Sequence, residues 1–348
     1  MTEQQPRTVL ESLNNGLHQA MADDNTVYLL GEDILDPYGG AFKVARGLST
    51  AFPERVMTTP ISEAGITGIA GGMALRGLRP VVEIMFGDFS TLIADQVLNH
   101  IAKFQGMYNE QVSVPLVIRT PMGGRRGYGP THSQTLEKFF LGVPGLTVLA
   151  PFHLRGGNAL GSPGALLHNA ILGIDSSVFF VENKLQYLLE LLTPEELDEY
   201  EVSEAHTGYT GSYFYKITLK SAPPAQVTLA AYGYMAHLAL KALYTLAYEE
   251  EIFCELLVPT QLVPFELDPL FDSVHRTGRL LAVEEGTLSL GWGAEVLARS
   301  VEALGAGLKT AGRLAAKETV IPASPVLEAD CLPVTEDIIA RVREMVEE

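Results

Sequence analysis

Residues 80–118 read PVVEIMFGDFSTLIADQVLNHIAKFQGMYNEQVSVPLVI, and this stretch decides the fold. It opens on an apolar run, residues 80–85, and closes on another, 114–118. Neither alternates polar with apolar residues, so each reads as a strand buried on both faces. Between them, residues 91–105 place Leu92, Ile93, Val97, Ile101 and Phe104 near one stripe of a helix that starts at Ser90 or Thr91. Strand, helix and strand in this order make the unit of a parallel sheet covered by helices.

The same pattern extends outward. Residues 26–30 precede it as a strand, and 146–150 and 178–181 follow. From residue 188 to 224 the chain turns acidic and aromatic, with Glu195, Glu196, Asp198, Glu199 and Glu201 clustered and Pro223-Pro224 at the close. We read this as a connection between domains that carries a hairpin around 209–219. A second α/β pattern follows, with strands at 227–232, 252–258 and 280–283 and a helix over 235–248. The expected organisation is a domain at 1–187, a connecting segment at 188–224 and a domain at 225–348. Each domain is α/β with a mostly parallel sheet covered by helices.

Composition sets the outer limits. A chain of 348 residues carries a prior of about two domains. With 47% hydrophobic and 19% charged residues it is neither disordered nor fibrous. Lys plus Arg number 24 against 42 Asp plus Glu, a formal charge of −18, which repels nucleic-acid phosphates and anionic lipid heads. Solubility or a basic protein partner suits that charge. Cys254 and Cys331 have neither metal-site spacing nor a disulfide framework. Residues 1–7 are polar without an apolar signal core, and no window reaches the ~18 apolar residues of a membrane span. The expectation is a reduced, cytoplasmic protein with no nucleic-acid or membrane partner.

Four places could carry chemistry. In TTPISEAGITGIAGG, residues 58–72, Glu63 sits among small and apolar residues at a strand-to-helix passage. It reads either as an acid, base or hydrogen-bond acceptor for a heteroaromatic ligand, or as a helix-start carboxylate favoured by the dipole. The loop RTPMGGRRGYGPTHSQ, residues 119–134, follows a strand, where open α/β sheets bind ligands. Its His132 suits proton transfer, or caps a helix near Ser133. Phe86 and Phe89 flank Asp88 after the strand at 80–85, and an aromatic there either stacks on a flat ligand or fills core. Glu32 and Asp33 end the first strand, as crevice groups or as surface carboxylates. The remaining histidines have no partner motif and read as structural. RGGNALGSPG, residues 155–164, lacks the phosphate-loop pattern and reads as a surface loop or insertion. The dinucleotide Gly-x-Gly-x-x-Gly fingerprint, the Gly-x-Ser-x-Gly elbow and a Cys/His metal set are all missing from the sequence.

Taken together, GED (31–33), TTPISEAGITGIAGGMALRGLRPVVEIMFGDF (58–89), ADQ (94–96) and RGYGPTHSQ (126–134) resemble the beta subunit of thiamine-diphosphate-dependent 2-oxo acid dehydrogenases. VPTQLVPFE (258–266) and RLLAVEEGTLSLGWGAEV (279–296) extend the resemblance over nearly the whole chain. It implies a pyrimidine-binding domain followed by a transketolase-type C-terminal domain. It also implies that Glu63 hydrogen-bonds the ring nitrogen of the aminopyrimidine and favours the imino form that deprotonates the thiazolium carbon. Phe89 then matches the aromatic that stacks on the pyrimidine. His132 matches a histidine of acyl transfer to lipoyl groups, and Glu32 an acidic residue of a proton path between paired sites. The family holds diphosphate and magnesium through Gly-Asp-Gly and a later Asn. Gly-Asp-Gly does not occur in this sequence, so those groups are expected on an alpha subunit, in an α2β2 heterotetramer. Some members bind potassium through backbone oxygens at the place of residues 170–177, where Gly173 here replaces an acidic position. The implied activity is oxidative decarboxylation of a 2-oxo acid, with acyl transfer to a lipoyl acyltransferase core. Half of a split transketolase or synthase, and a non-catalytic structural subunit, are the rival readings.

Overall fold

The computed structural model describes residues 6–155, 161–207 and 212–348. Apolar runs that cannot face water on either side pair with one another, and two sheets result. The first is built from β1 (Val27–Gly31), β2 (Val56–Thr58), β3 (Arg79–Glu83), β4 (Val117–Met122), β5 (Leu146–Leu149) and β6 (Ser177–Asn183). The runs of the 80–118 stretch lie side by side in parallel, Val81 opposite Val117 and Val82 opposite Ile118. The second sheet draws on β7 (Tyr200–Thr207), β8 (Ser212–Leu219), β9 (Val227–Ala231) and β10 (Cys254–Pro259). The next strand, β11 (Gln261–Val263), crosses back to pair antiparallel with β5. The chain then returns for β12 (Arg279–Thr287) and β13 (Thr310–Ala316). The orders are β11-β5-β6-β4-β3-β1-β2 and β13-β12-β9-β10-β8-β7.

Two sequence expectations change here. The acidic segment 188–224 is more than a connection, because β7 and β8 form a hairpin whose second strand pairs with β10, Ile217 opposite Leu256. A charged, alternating hairpin can close a sheet edge, whereas the apolar runs occupy its middle. The helix expected over 91–105 is broken into a tight turn at Gly87–Ile93, a widened π turn at Gln96–Ile101 and a short α-helix at Ala102–Met107. The widened turn keeps Val97 and Ile101 buried, with Ile101 against Gly71 of the helix Glu63–Leu75.

The glycine-rich stretch at 155–164 ends differently from the surface loop expected. Residues 156–160 lie outside the described residues, but Ser162 caps the buried helix Pro163–Leu172 through Ala165 N–H at 3.3 Å. That helix packs on Val9–Asp23 with backbones in contact: a Cβ on Gly164 would fall 1.9 Å from the Ser12 carbonyl oxygen. One hydrophobic core runs across both sheets, from Leu30 and Val82 to Trp292 and Val296. Among the described residues no helix is long and apolar enough to cross a membrane.

Candidate functional site

The sheet order places four chain segments in a row. Strands β4, β3, β1 and β2 are neighbours and parallel, so their carboxyl ends open on one edge. Strands lie about 4.8 Å apart, so this edge spans about 15 Å. His132 follows β4, Phe89 follows β3, Glu32 follows β1, and Glu63 follows β2. All four residues singled out in the sequence therefore lie beyond the same edge, where open α/β sheets bind ligands.

Glu63 is the first residue of its helix and only 7% exposed. Among the described residues its carboxylate has no hydrogen-bond or ion-pair partner. A buried carboxylate in that state costs free energy unless a ligand donor completes it. Beside it, Glu32 accepts the Ser62 N–H at 3.2 Å. Burial first, and then the charge of Glu63, push the Glu32 carboxyl above the usual carboxylate range. Two neighbouring carboxyls then need not both be charged. Ile61, next to this pair, is 83% exposed, an apolar side chain open to contact.

The aromatic part is a cage around His132. Its ring centroid lies 4.8 Å from Phe86 and 5.3 Å from Phe89, both edge-on. Its Nδ1 is 3.0 Å from Thr131 Oγ1. Phe89 is half-buried and faces a cleft of about 1090 Å³ that also touches Thr131, Lys138, Glu285 and Glu318, so both halves of the chain line it. Asp88 is buried behind Phe89 and accepts Gln134 Nε2 at 2.8 Å. The glycine-rich loop bearing His132 is pinned from the second half: Glu285 accepts the Gly124 N–H at 2.7 Å, and Glu328 accepts those of Arg125 and Gly127, each at 2.8 Å.

Sequence reading missed three groups. Lys184, in VENKLQY at the end of β6, is fully buried and donates from Nζ to the His132 carbonyl at 2.5 Å. Arg119 is buried between Glu83 and Glu182, and Tyr187 donates to Glu182. His153 and His237, read as unrelated, meet at 3.4 Å between Nε2 and Nδ1. The only signal for the first two was charge inside β4 and at the ends of β3 and β6. Nothing in the sequence pairs the two histidines.

Residues 170–177 do not fit a bound potassium ion. The carbonyls of Ile171 and Ile174 accept Arg79 Nη1 at 2.9 and 3.1 Å, and Asp175 pairs with Nη2. A guanidinium thus already supplies the positive charge there. Among the described residues no three His, Cys, Asp or Glu side chains converge as metal ligands.

Comparison with known proteins matches this geometry. Residues 5–158 match the family described as transketolase, pyrimidine binding domain, and 218–338 match transketolase, C-terminal domain. The chain is 36% identical over 341 residues to "Pyruvate dehydrogenase E1 component subunit beta-2, mitochondrial" of Oryza sativa subsp. japonica, covering 95% of this chain and 84% of that one. It is 32% identical over 354 residues to "Acetoin:2,6-dichlorophenolindophenol oxidoreductase subunit beta" of Bacillus subtilis (strain 168), covering 97% and 96%. Among solved structures, "Split gene transketolase, inactive beta4 tetramer" superimposes with a TM-score of 0.74 at 18% identity, covering 98% of this chain and 99% of that one.

Proposed function

The chain belongs to the transketolase-like family of pyruvate and acetoin dehydrogenase beta subunits, and from that premise we propose that it is the catalytic beta subunit of a 2-oxo acid dehydrogenase. It would work with an alpha subunit in an α2β2 heterotetramer and pass acyl groups to a lipoyl acyltransferase. The observation that carries this reading is Glu63, buried at a helix start without a hydrogen-bond or ion-pair partner among the described residues and next to a second buried carboxyl.

Thiamine diphosphate, when bound, supplies the electron sink that decarboxylation of a 2-oxo acid requires. The residues of this chain fit its aminopyrimidine end. Glu63 accepts a hydrogen bond from a ring nitrogen, and the low-dielectric setting strengthens that charge-assisted bond. Phe89 lines the cleft, where an aromatic ring can stack on a flat ligand. Glu32 lies beside Glu63, its carboxyl pushed up by burial and by the Glu63 charge. His132 has Nδ1 tied to Thr131, and its other ring nitrogen has no partner among the described residues, so it can hold or release a proton for an acyl acceptor. The diphosphate and magnesium are assigned to the alpha subunit.

The test is Glu63→Gln, reconstituted with the alpha subunit. The amide keeps the shape and loses the charge. Decarboxylation should fall by about 100-fold or more, roughly 3 kcal/mol of transition-state stabilisation. Full activity would sink the proposal.

A further inference from the structure

We propose that Lys184 is a positioning residue that fixes His132 and its aromatic cage for acyl transfer; this rests on the functional reading above. Lys184 is a lysine with no exposed surface, at the carboxyl end of β6. Burying an ammonium is costly, and a methionine would fill the same space without that cost. Among the described residues no carboxylate forms an ion pair with it. Its hydrogen-bond acceptor is the backbone carbonyl of His132, at 2.5 Å.

The rest of its surroundings is aromatic. Nζ lies 5.2 Å from the centre of the Phe86 ring and 5.8 Å from that of Tyr128. The Phe86 ring lies against the imidazole of His132 at 4.8 Å and against Tyr128 at 6.0 Å. One ammonium therefore holds the loop by its carbonyl and, through cation–π attraction, holds Phe86, which lies against the imidazole, and Tyr128, which lies against Phe86. Lysine has three donors, enough to reach the carbonyl and both faces. Burial lowers the Lys184 amine to about 8. Asp88, Glu285 and Glu328 favour its charge, and Arg126 opposes it. The charged, gripping form thus predominates below about pH 8 and is lost as pH rises through it.

In acyl transfer the acyl carbon bonds to one sulfur of a lipoyl disulfide and the S–S bond breaks. The two electrons left by decarboxylation reduce the disulfide, and the departing sulfur takes up a proton. His132 must meet that sulfur, whereas decarboxylation needs Glu63 to hold the cofactor's aminopyrimidine end. Lys184 should therefore matter for one half-reaction and not the other.

The experiment uses the reconstituted complex and two assays, decarboxylation with an artificial dye as electron acceptor and acylation of a lipoyl domain. Lys184→Met should lower lipoyl acylation at least tenfold and change dye-linked decarboxylation less than threefold. In a His132→Ala background the same substitution should add almost nothing, because the two act as one unit. Should Lys184→Met not assemble, Lys184→Arg decides by pH profile: wild-type acylation falls above pH 8, and the guanidinium moves that fall up by a unit or more. In the cofactor-free complex, labelled-histidine NMR should show the His132 ring signals shifted by either substitution and those of His168, paired with Asp23, unmoved. Equal loss in both assays, full additivity with His132→Ala, or an unchanged pH limb in Lys184→Arg would overturn the role of Lys184 alone. No decarboxylation by the wild-type complex would overturn the functional reading, and this inference with it.

Discussion

Acid should loosen this protein at one joint before others, and His153 is the group that sets it. His153 follows β5 in the first half of the chain, and His237 sits on the helix Gly233–Glu250 of the second. Their rings meet edge-on, with centroids 5.0 Å apart, and the Phe152 ring lies 4.4 Å from His153. Burial, then the neighbouring His237 and Lys241, hold the His153 imidazole down to about 3. Burial and Lys241 hold His237 down to about 4. In the unfolded chain both titrate near 6.5. Between pH 6.5 and these folded values the unfolded chain binds protons that the folded chain refuses. Stability therefore falls as pH falls through that window, and it is fully present above pH 6.5.

One pKa unit corresponds to about 1.4 kcal/mol, so lowering the pH from 6.5 to 5 removes about 2 kcal/mol through His153. His237 is partly exposed and should contribute less. The assay is urea unfolding at pH 7 and pH 5, read by emission of Trp292, the single tryptophan, which is fully buried. Wild type is compared with His153→Phe, which cannot titrate. Groups other than His237, its direct neighbour, titrate alike in both proteins and cancel. The wild type should lose about 2 kcal/mol more than the variant between pH 7 and pH 5. Equal losses in the two proteins would refute the assignment, and so would a wild type that loses less.

Two further substitutions test the packing that supports the site. Gly164→Ala puts a methyl 1.9 Å from the Ser12 carbonyl, so the helices Val9–Asp23 and Pro163–Leu172 must part. It should cost about 1–3 kcal/mol in urea unfolding, and a loss below a few tenths would show that the contact yields freely. Arg119→Met strands two buried carboxylates, Glu83 and Glu182, without their shared cation. A loss of about 3–5 kcal/mol is expected at neutral pH. It should shrink as pH falls, because burial already pushes the Glu83 carboxyl up. A loss that does not change with pH would count against stranded charge as the cause.

Much of the architecture is legible in local pattern, because parallel strands buried on both faces have to be continuous apolar runs. Residues 80–85 and 114–118 announce themselves this way, and pair as β3 and β4. The hairpin Tyr200–Thr207 and Ser212–Leu219 is legible only in part: a hairpin around 209–219 is expected, but the edge strand β7 is free to be acidic, and β8 pairs with β10 about 40 residues on. The end of the glycine-rich stretch misleads for a related reason. Glycine there is required by contact with a helix some 150 residues earlier, not by exposure, and a sequence shows composition rather than approach.

The same division runs through the candidate site. Glu63, His132 and Glu32 stand out because each puts a charge or an imidazole near a strand end, whereas Phe89 is set apart from Phe86 only through the family resemblance. Lys184 does not, because a lysine after a strand is ordinarily solvated. Only the fold shows that β6 lies beside β4, so that Lys184 ends beneath the loop that β4 launches. That loop could have been a loose glycine-rich turn. Instead Glu285 and Glu328 grip its backbone N–H groups from the second half of the chain, while Lys184 grips one of its carbonyls from the first. Gly123, Gly127 and Gly129 all adopt positive φ, so their glycine content serves backbone geometry here rather than mobility. A histidine on a loop anchored at both polarities can keep one orientation, which is what the proposed proton transfer to a visiting acceptor demands.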